Sequence, residues 1–231
     1  MKLKSLLPAA FLAFVPLCHA QWSTAMDART KPLVEHISAE AMKAHLTYLA
    51  SDALQGRMTP SKGLDLAADY IAAHYRKVGL KAINGESYFQ VKDWKQGETS
   101  TPVRNVIGLL SGSDPVLKNT YVVVTAHYDH LGVTPKVEGH NIYNGANDDG
   151  SGTVSVMELA DAFADLAVKP KRSIVFICFF GEEEGDVGSA FYVKNPVFPL
   201  ASTIADINIE QVGRTDDNEG PRVLGASMTG Y

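Results

Sequence analysis

The chain has 231 residues, of which 45% are apolar and 20% charged, with a formal net charge of -5. That balance supports a globular domain with a sizeable core and excludes a disordered chain. A mildly acidic protein also offers no broad electrostatic attraction for nucleic acid or anionic lipid.

Residues 1–20 read as an export signal. Lys2 and Lys4 start it, Leu6 to Leu17 is apolar apart from two prolines, and Cys18-His19-Ala20 ends it with small residues where a signal peptidase reads. The stretch is too short for a membrane anchor, which needs roughly 20 apolar residues. Cleavage after Ala20 removes two lysines and no acid, leaving 19 basic against 26 acidic residues, or -7. The expected location is periplasmic or secreted, with no stable membrane anchor. Cys178 is then the one remaining cysteine, inside the apolar run Ser173 to Phe180, where a buried thiol is a core residue.

In chain order, Ser38 caps a helix with Met42, Leu46 and Leu49 at helical spacing. A polar turn, Ala50 to Arg57, follows. A second helix runs from about Leu64, with Leu64, Ala67, Ile71, Tyr75 and Val78 on one face and Gly79 as its stop. Asn105 to Leu110 reads as a strand, closed by Ser111-Gly-Ser-Asp-Pro115. Tyr121 to Ala126 and Ser173 to Phe180 are apolar on both faces, as central strands covered on both sides are. Between them Thr153 to Ala167 is an amphipathic helix, and Ser202 to Gln211 is a last strand. Strand, helix, strand predicts an α/β domain with three layers and a mixed, mainly parallel central sheet flanked by helices. Residues 89–120 are too few for an inserted domain, so one core is expected.

The acids and histidines fall in one place on this scheme. His127 and Asp129 follow the first buried strand, Glu182 and Glu183 follow the second, and Glu210 lies near the end of the last. Asp148 and Asp149 sit in Gly145-Ala-Asn-Asp-Asp-Gly-Ser-Gly152, just before the helix. Ligands of open α/β sheets gather outside the carboxyl ends of the strands. So many carboxylates in one cleft repel one another unless a divalent cation relieves them. One imidazole among them suits zinc, with manganese or cobalt as substitutes, and a shared carboxylate between two metals uses more of the acids than one ion does. His36, His45, His74, His130 and His140 read as surface or core residues.

Thr125-Ala-His-Tyr-Asp-His-Leu-Gly132, Gly145 to Gly152, Phe180-Gly-Glu-Glu-Glu-Gly185 and Asn208-Ile-Glu-Gln-Val-Gly213 stand in an order that resembles the co-catalytic zinc aminopeptidases. That is the family of bacterial leucyl aminopeptidase, aminopeptidase Y and the peptidase domain of glutamate carboxypeptidase II. Leu49 to Arg57 and Ala67 to Ile71 resemble the family's N-terminal segment. The resemblance implies two zinc ions, with His127, Asp148, Glu183 and Glu210 as metal ligands and Asp148 bridging. It implies Glu182 as general base, Asp129 orienting His127, and a cis peptide after Asp148 with Asp149 turned away from the metals. The triple glutamate leaves a one-residue ambiguity, and counting back from Gly188-Ser189 favours Glu182 and Glu183 over Glu183 and Glu184. Glu210 stands where many relatives carry aspartate.

The implied activity is hydrolysis of the N-terminal peptide bond of peptides with a free N-terminus. The family's last histidine ligand lies well downstream of the Glu210 position, whereas this sequence ends at Tyr231. The expectation is therefore that residues 21–231 form a catalytic domain missing its C-terminal part, with weak or absent activity and no more than partial zinc occupancy. Two alternatives stand beside it. One is a zinc acyltransferase of the glutaminyl cyclase type, and the other a non-catalytic, truncated binding domain.

Overall fold

The computed structural model describes residues 30–135 and 139–214. The export signal read at 1–20 lies outside the described residues. The helices and strands run in the order α1 (Lys31–His36), α2 (Ala39–Leu49), α3 (Lys62–Lys77), β1 (Phe89–Gln96), β2 (Thr99–Leu110), β3 (Tyr121–His127) and β4 (Gly132–Val133). They continue with β5 (Ile142–Tyr143), α4 (Gly152–Asp165), β6 (Ser173–Phe179), α5 (Val187–Lys194) and β7 (Thr203–Asn208).

Local chemistry sets the helix starts. Ser38 is extended, and its hydroxyl accepts from the Ala41 N–H at 3.3 Å. Ser61 does the same for Leu64 at 3.0 Å, so α3 begins two residues before the expected Leu64. Its buried face carries Leu64, Ala67, Ile71 and Tyr75. Burying a large apolar side chain of this kind contributes roughly 1.5–3 kcal/mol.

Five strands form one sheet in the order β1-β2-β6-β3-β7. β1 pairs with β2 and β2 with β6 antiparallel, whereas β3 pairs with both β6 and β7 parallel. The sheet is therefore mixed, and the expectation of a mainly parallel sheet is corrected. The cause is the β1–β2 hairpin, whose turn at Gly97-Glu98 is too short for anything but an antiparallel return. Only connections that cross over, such as β3 through α4 to β6, yield parallel neighbours.

Val124, Ala126, Phe176 and Cys178 belong to a core shared with α2, α3 and α4. Val123, Val175 and Ile177, on the other face, pack with Tyr192 of α5. Alternate residues of β3 and β6 thus serve two cores, which is why both strands carry apolar residues on both faces. Cys178 is a buried free thiol that burial pushes up to about 12, and its sulfur lies 3.4 Å from the Tyr75 hydroxyl. Among the described residues no helix is long and apolar enough to cross a membrane.

Candidate metal centre

β3 lies between β6 and β7, and all three point the same way. Their carboxyl ends therefore open onto one place. His127 is the last residue of β3, Glu182 follows β6, and Glu210 follows β7. β7 ends at Asn208, earlier than the expected Gln211, so Glu210 projects from the turn beyond the strand. The His127 Nε2 atom lies 3.2 Å from Glu210 Oε1, 3.2 Å from Asp148 Oδ1 and 3.7 Å from Glu182 Oε2.

Two groups of donors result. The ligand atoms of His127, Glu182 and Glu210 lie within 4.8 Å of one another, and so do those of His130, Asp148 and Glu183. Asp148 belongs to the second group and also reaches His127, so it stands between them. Glu183 is the member of the triple glutamate in the second group, while Glu184 is exposed.

The residues fit a cation. Both ring nitrogens of His127 are buried without a hydrogen-bond partner, a costly state for a polar side chain. Zinc held at about 2.0–2.1 Å in a tetrahedron sets its donor atoms about 3.3 Å apart. The two 3.2 Å separations from His127 Nε2 match that spacing. Burial alone would depress the His127 pKa, but Asp129, Asp149 and Glu182 outweigh it and hold it up at about 9. The same negative field attracts a metal.

Asp129 and Asp149 hold the centre together from behind. Asp129 is fully buried, with Oδ1 3.5 Å from His127 Nδ1. That Oδ1 also accepts from the Glu182 N–H at 3.2 Å, and Oδ2 accepts from Thr59 Oγ1 at 3.3 Å. The peptide between Asp148 and Asp149 is cis. The Asp149 carboxylate is buried and accepts from the backbone N–H groups of His127, Gly152 and Gln211 at 3.3, 3.0 and 3.0 Å. One carboxylate thereby ties the end of β3, the start of α4 and the turn after β7. Burial pushes its pKa up to about 7 against the pull of His127.

His130 was read as a surface or core residue, and it stands instead inside the second group, with Nδ1 2.7 Å from Glu183 Oε1. Nothing in its local sequence marks this, because its partner is 53 residues away. His36, His45 and His74 lie on the helical side, near α4. His140 pairs with Asp52 at the surface.

A protein-family model, Peptidase family M28, matches residues 105–227. The chain belongs to this peptidase family. It is 30% identical over 206 residues to a probable zinc metalloprotease of Pyrenophora teres f. teres, covering 85% of this chain and 41% of that protein. It is 32% identical over 140 residues to aminopeptidase YwaD of Bacillus subtilis, covering 59% of this chain and 28% of that protein. The chain thus spans less than half the length of these curated relatives. Among solved structures, Porphyromonas gingivalis glutaminyl cyclase shares the fold, with a TM-score of 0.63, 20% identity and coverage of 77% of this chain and 62% of that one. The M28 match covers β3, the Asp148 loop, β6, the glutamates and Glu210, so the two donor groups lie within the family's own region.

Proposed function

We propose that this M28 chain is the catalytic part of a zinc-dependent exopeptidase that hydrolyses the N-terminal peptide bond of peptides with a free N-terminus. In this reading residues 21–231 belong to the catalytic domain and residues 1–20 direct export. His127, Asp148 and Glu210 would hold one zinc, and Asp148 and Glu183 would contribute to a second. When bound, the metals supply Lewis acidity at the scissile carbonyl and at water.

The observation that carries the reading is Glu182. Its carboxylate is half-exposed and stands 3.7 Å from His127 Nε2, within the first donor group. Burial raises its pKa, with Glu210 and Glu183 adding to the rise and His127 opposing it. A carboxylate at this position can accept a proton from water held among the donors. Glu182 takes the proton of the attacking water and returns it to the leaving amine. Asp129 fixes where Glu182 sits, through the Glu182 N–H. A cavity of about 470 Å³ beside Glu182 and Glu210 leaves room for a peptide end.

The test is release of N-terminal residues from peptides by the zinc-supplemented chain. Free peptides should be cleaved and N-acetylated ones spared, and chelation should abolish the reaction. Conversion of N-terminal glutamine to pyroglutamate without peptide cleavage would instead assign a cyclase. Zinc uptake with neither reaction would fit a binding domain, or a catalytic domain too incomplete to turn over.

A further inference from the structure

The second donor group holds an imidazole that the proposed ligand set does not use. His130 Nδ1 lies 2.7 Å from Glu183 Oε1. That distance decides between two roles. Two atoms bound to one tetrahedral zinc stand about 3.3 Å apart. Charge-assisted N–H···O hydrogen bonds fall at about 2.7–2.9 Å. A carboxylate only accepts, so the Nδ1 atom carries the proton and donates it.

The ring is also held still. It is largely buried, with its side chain 11% exposed. A Cβ on Gly145 would sit 2.6 Å from the ring's Cγ and Cδ2, so the ring packs against a position where only glycine fits. Tyr143 meets it edge-on, with the ring planes at 85°. The His130 backbone N–H donates to the Arg57 carbonyl at 3.2 Å. A side chain fixed on this many sides presents its Nδ1–H in one direction, toward Glu183.

We infer that His130 is a positioning residue for the second metal position: its Nδ1–H holds Oε1 of Glu183 and leaves the other oxygen aimed at the metal. This rests on the metal-centre reading above. Carboxylates that ligate metals are themselves held by hydrogen bonds, and removing such a partner typically lowers metal affinity about 10–100-fold. The stretch His127 to His130 then serves both positions. It supplies a donor to the first group (His127), the acid behind that donor (Asp129), and the imidazole behind a donor of the second group (His130).

The experiment is zinc titration of the full chain against a competing chelator, for wild type and for His130→Ala, His130→Asn and His130→Gln. Asparagine places an amide N–H where Nδ1–H stood, whereas glutamine places it farther out. Wild type should bind zinc at the first position and, more weakly, at the second. His130→Ala and His130→Gln should weaken the second about 10–100-fold and leave the first unchanged. His130→Asn should restore the second to within a few-fold. The nitrogen spectrum of zinc-loaded wild type reads the role without any substitution. A protonated Nδ1 on His130 supports positioning, and a deprotonated, metal-shifted Nδ1 overturns it by making His130 a ligand. Undiminished zinc binding by His130→Ala also overturns it. If wild type takes up no zinc, the metal centre itself falls, and the inference with it.

Discussion

Arg57 Nε donates to the Tyr128 carbonyl at 2.7 Å, between the proposed ligand His127 and the acid Asp129. The other guanidinium nitrogens reach the carbonyls of Leu49, Asn144 at 2.8 Å and Gly145 at 2.9 Å. A buried cation thus joins the end of α2, the loop after β3 and the loop that leads into Asp148. Burial lowers its pKa to about 10, against Asp129, Asp149 and Asp148, so it stays charged at neutral pH. Arg57→Met should leave the carbonyls of Leu49, Tyr128 and Asn144 without this donor, while Gly145 keeps the Gly150 N–H at 3.1 Å. Hydrogen bonds to charged groups contribute about 1.5–3 kcal/mol each, and the loss is not additive, so a destabilisation of about 3–5 kcal/mol is expected. Urea unfolding at neutral pH measures it. A loss under about 1 kcal/mol would mean that water replaces the guanidinium.

Glu182→Gln should keep whatever zinc the wild type binds and lose most of its turnover. The amide preserves shape and the Asp129 contact, which uses the backbone N–H, but does not accept the proton of water. General-base catalysis of this kind contributes typically about 10²–10⁴-fold. Metal analysis beside a peptidase assay separates the two effects. A variant that turns over at the wild-type rate, with the wild-type pH profile, would remove Glu182 from the reaction.

Much of this was legible in the residues, and the rest was hidden for identifiable reasons. β3 and β6 were readable because each feeds two cores, so their runs Tyr121–Val124 and Ile174–Phe179 are apolar on both faces. β1 was missed because Phe89–Gln96 is an edge strand with an alternating, half-exposed pattern that includes Lys92, Asp93 and Lys95. Missing β1 meant missing the hairpin, and with it the antiparallel half of the sheet. α5 was missed because its short run, Val187–Lys194, follows a turn rather than a side-chain cap. The convergence of His127, Glu182, Glu183 and Glu210 was legible because strand ends are predictable from apolar runs, and that of Asp148 because its glycine-rich loop leads into the helix between two of those strands. Arg57 and His130 were not, since their roles lie in contacts across 71 to 88 and across 53 residues, respectively.

Acid should weaken the fold through the helical side. The His45 ring is half-buried, with Nδ1 2.7 Å from the Tyr70 hydroxyl and its ring 4.8 Å from that of His74. Burial first, then His74 and Lys77, lower its pKa from 6.5 to about 4. Glu158 lies 3.6 Å away, but burial raises its own pKa, so it offsets little. The folded state therefore binds the His45 proton less readily than the unfolded state does. The contribution is complete above pH 6.5 and is lost as pH falls from 6.5 to about 4. At 1.36 kcal/mol per unit the shift corresponds to about 3 kcal/mol, and solvent around the ring reduces this to about 1–2 kcal/mol. Unfolding of the metal-free chain across that window should show the slope, and His45→Gln should flatten it. An unchanged slope in the variant would assign the effect to other groups.

Removing metal should lower stability by mass action. Free zinc at 100 times its dissociation constant stabilises a one-site protein by about 2.7 kcal/mol. Chelation should therefore lower the melting temperature, and zinc should restore it in a concentration-dependent way. Magnesium should not substitute, because it favours all-oxygen, largely hydrated sites over one with a buried imidazole. Equal rescue by magnesium would point to general screening of the acids.

Gly152→Ala tests how tightly the turn after β7 is packed on α4. Gly152 begins the helix with ordinary helical angles, φ -68° and ψ -46°. On propensity alone, alanine in a helix gains up to about 1 kcal/mol over glycine. Here its Cβ would lie 2.1 Å from the Ile209 carbonyl oxygen and 2.4 Å from Asp149 Oδ2. The first is backbone, and the second is a carboxylate fixed by three N–H donors, so neither yields cheaply. Overpacking costs typically about 1–3 kcal/mol and should exceed the propensity gain. Ile209 precedes Glu210, so displacing its carbonyl should also move Glu210 from its place 3.2 Å from His127 Nε2. The expected result is a chain about 1–2 kcal/mol less stable that binds its first zinc more weakly. Calorimetric unfolding and zinc titration of the same sample give both quantities. A stabilised variant with unchanged zinc affinity would show that the turn after β7 relaxes freely and does not fix Glu210.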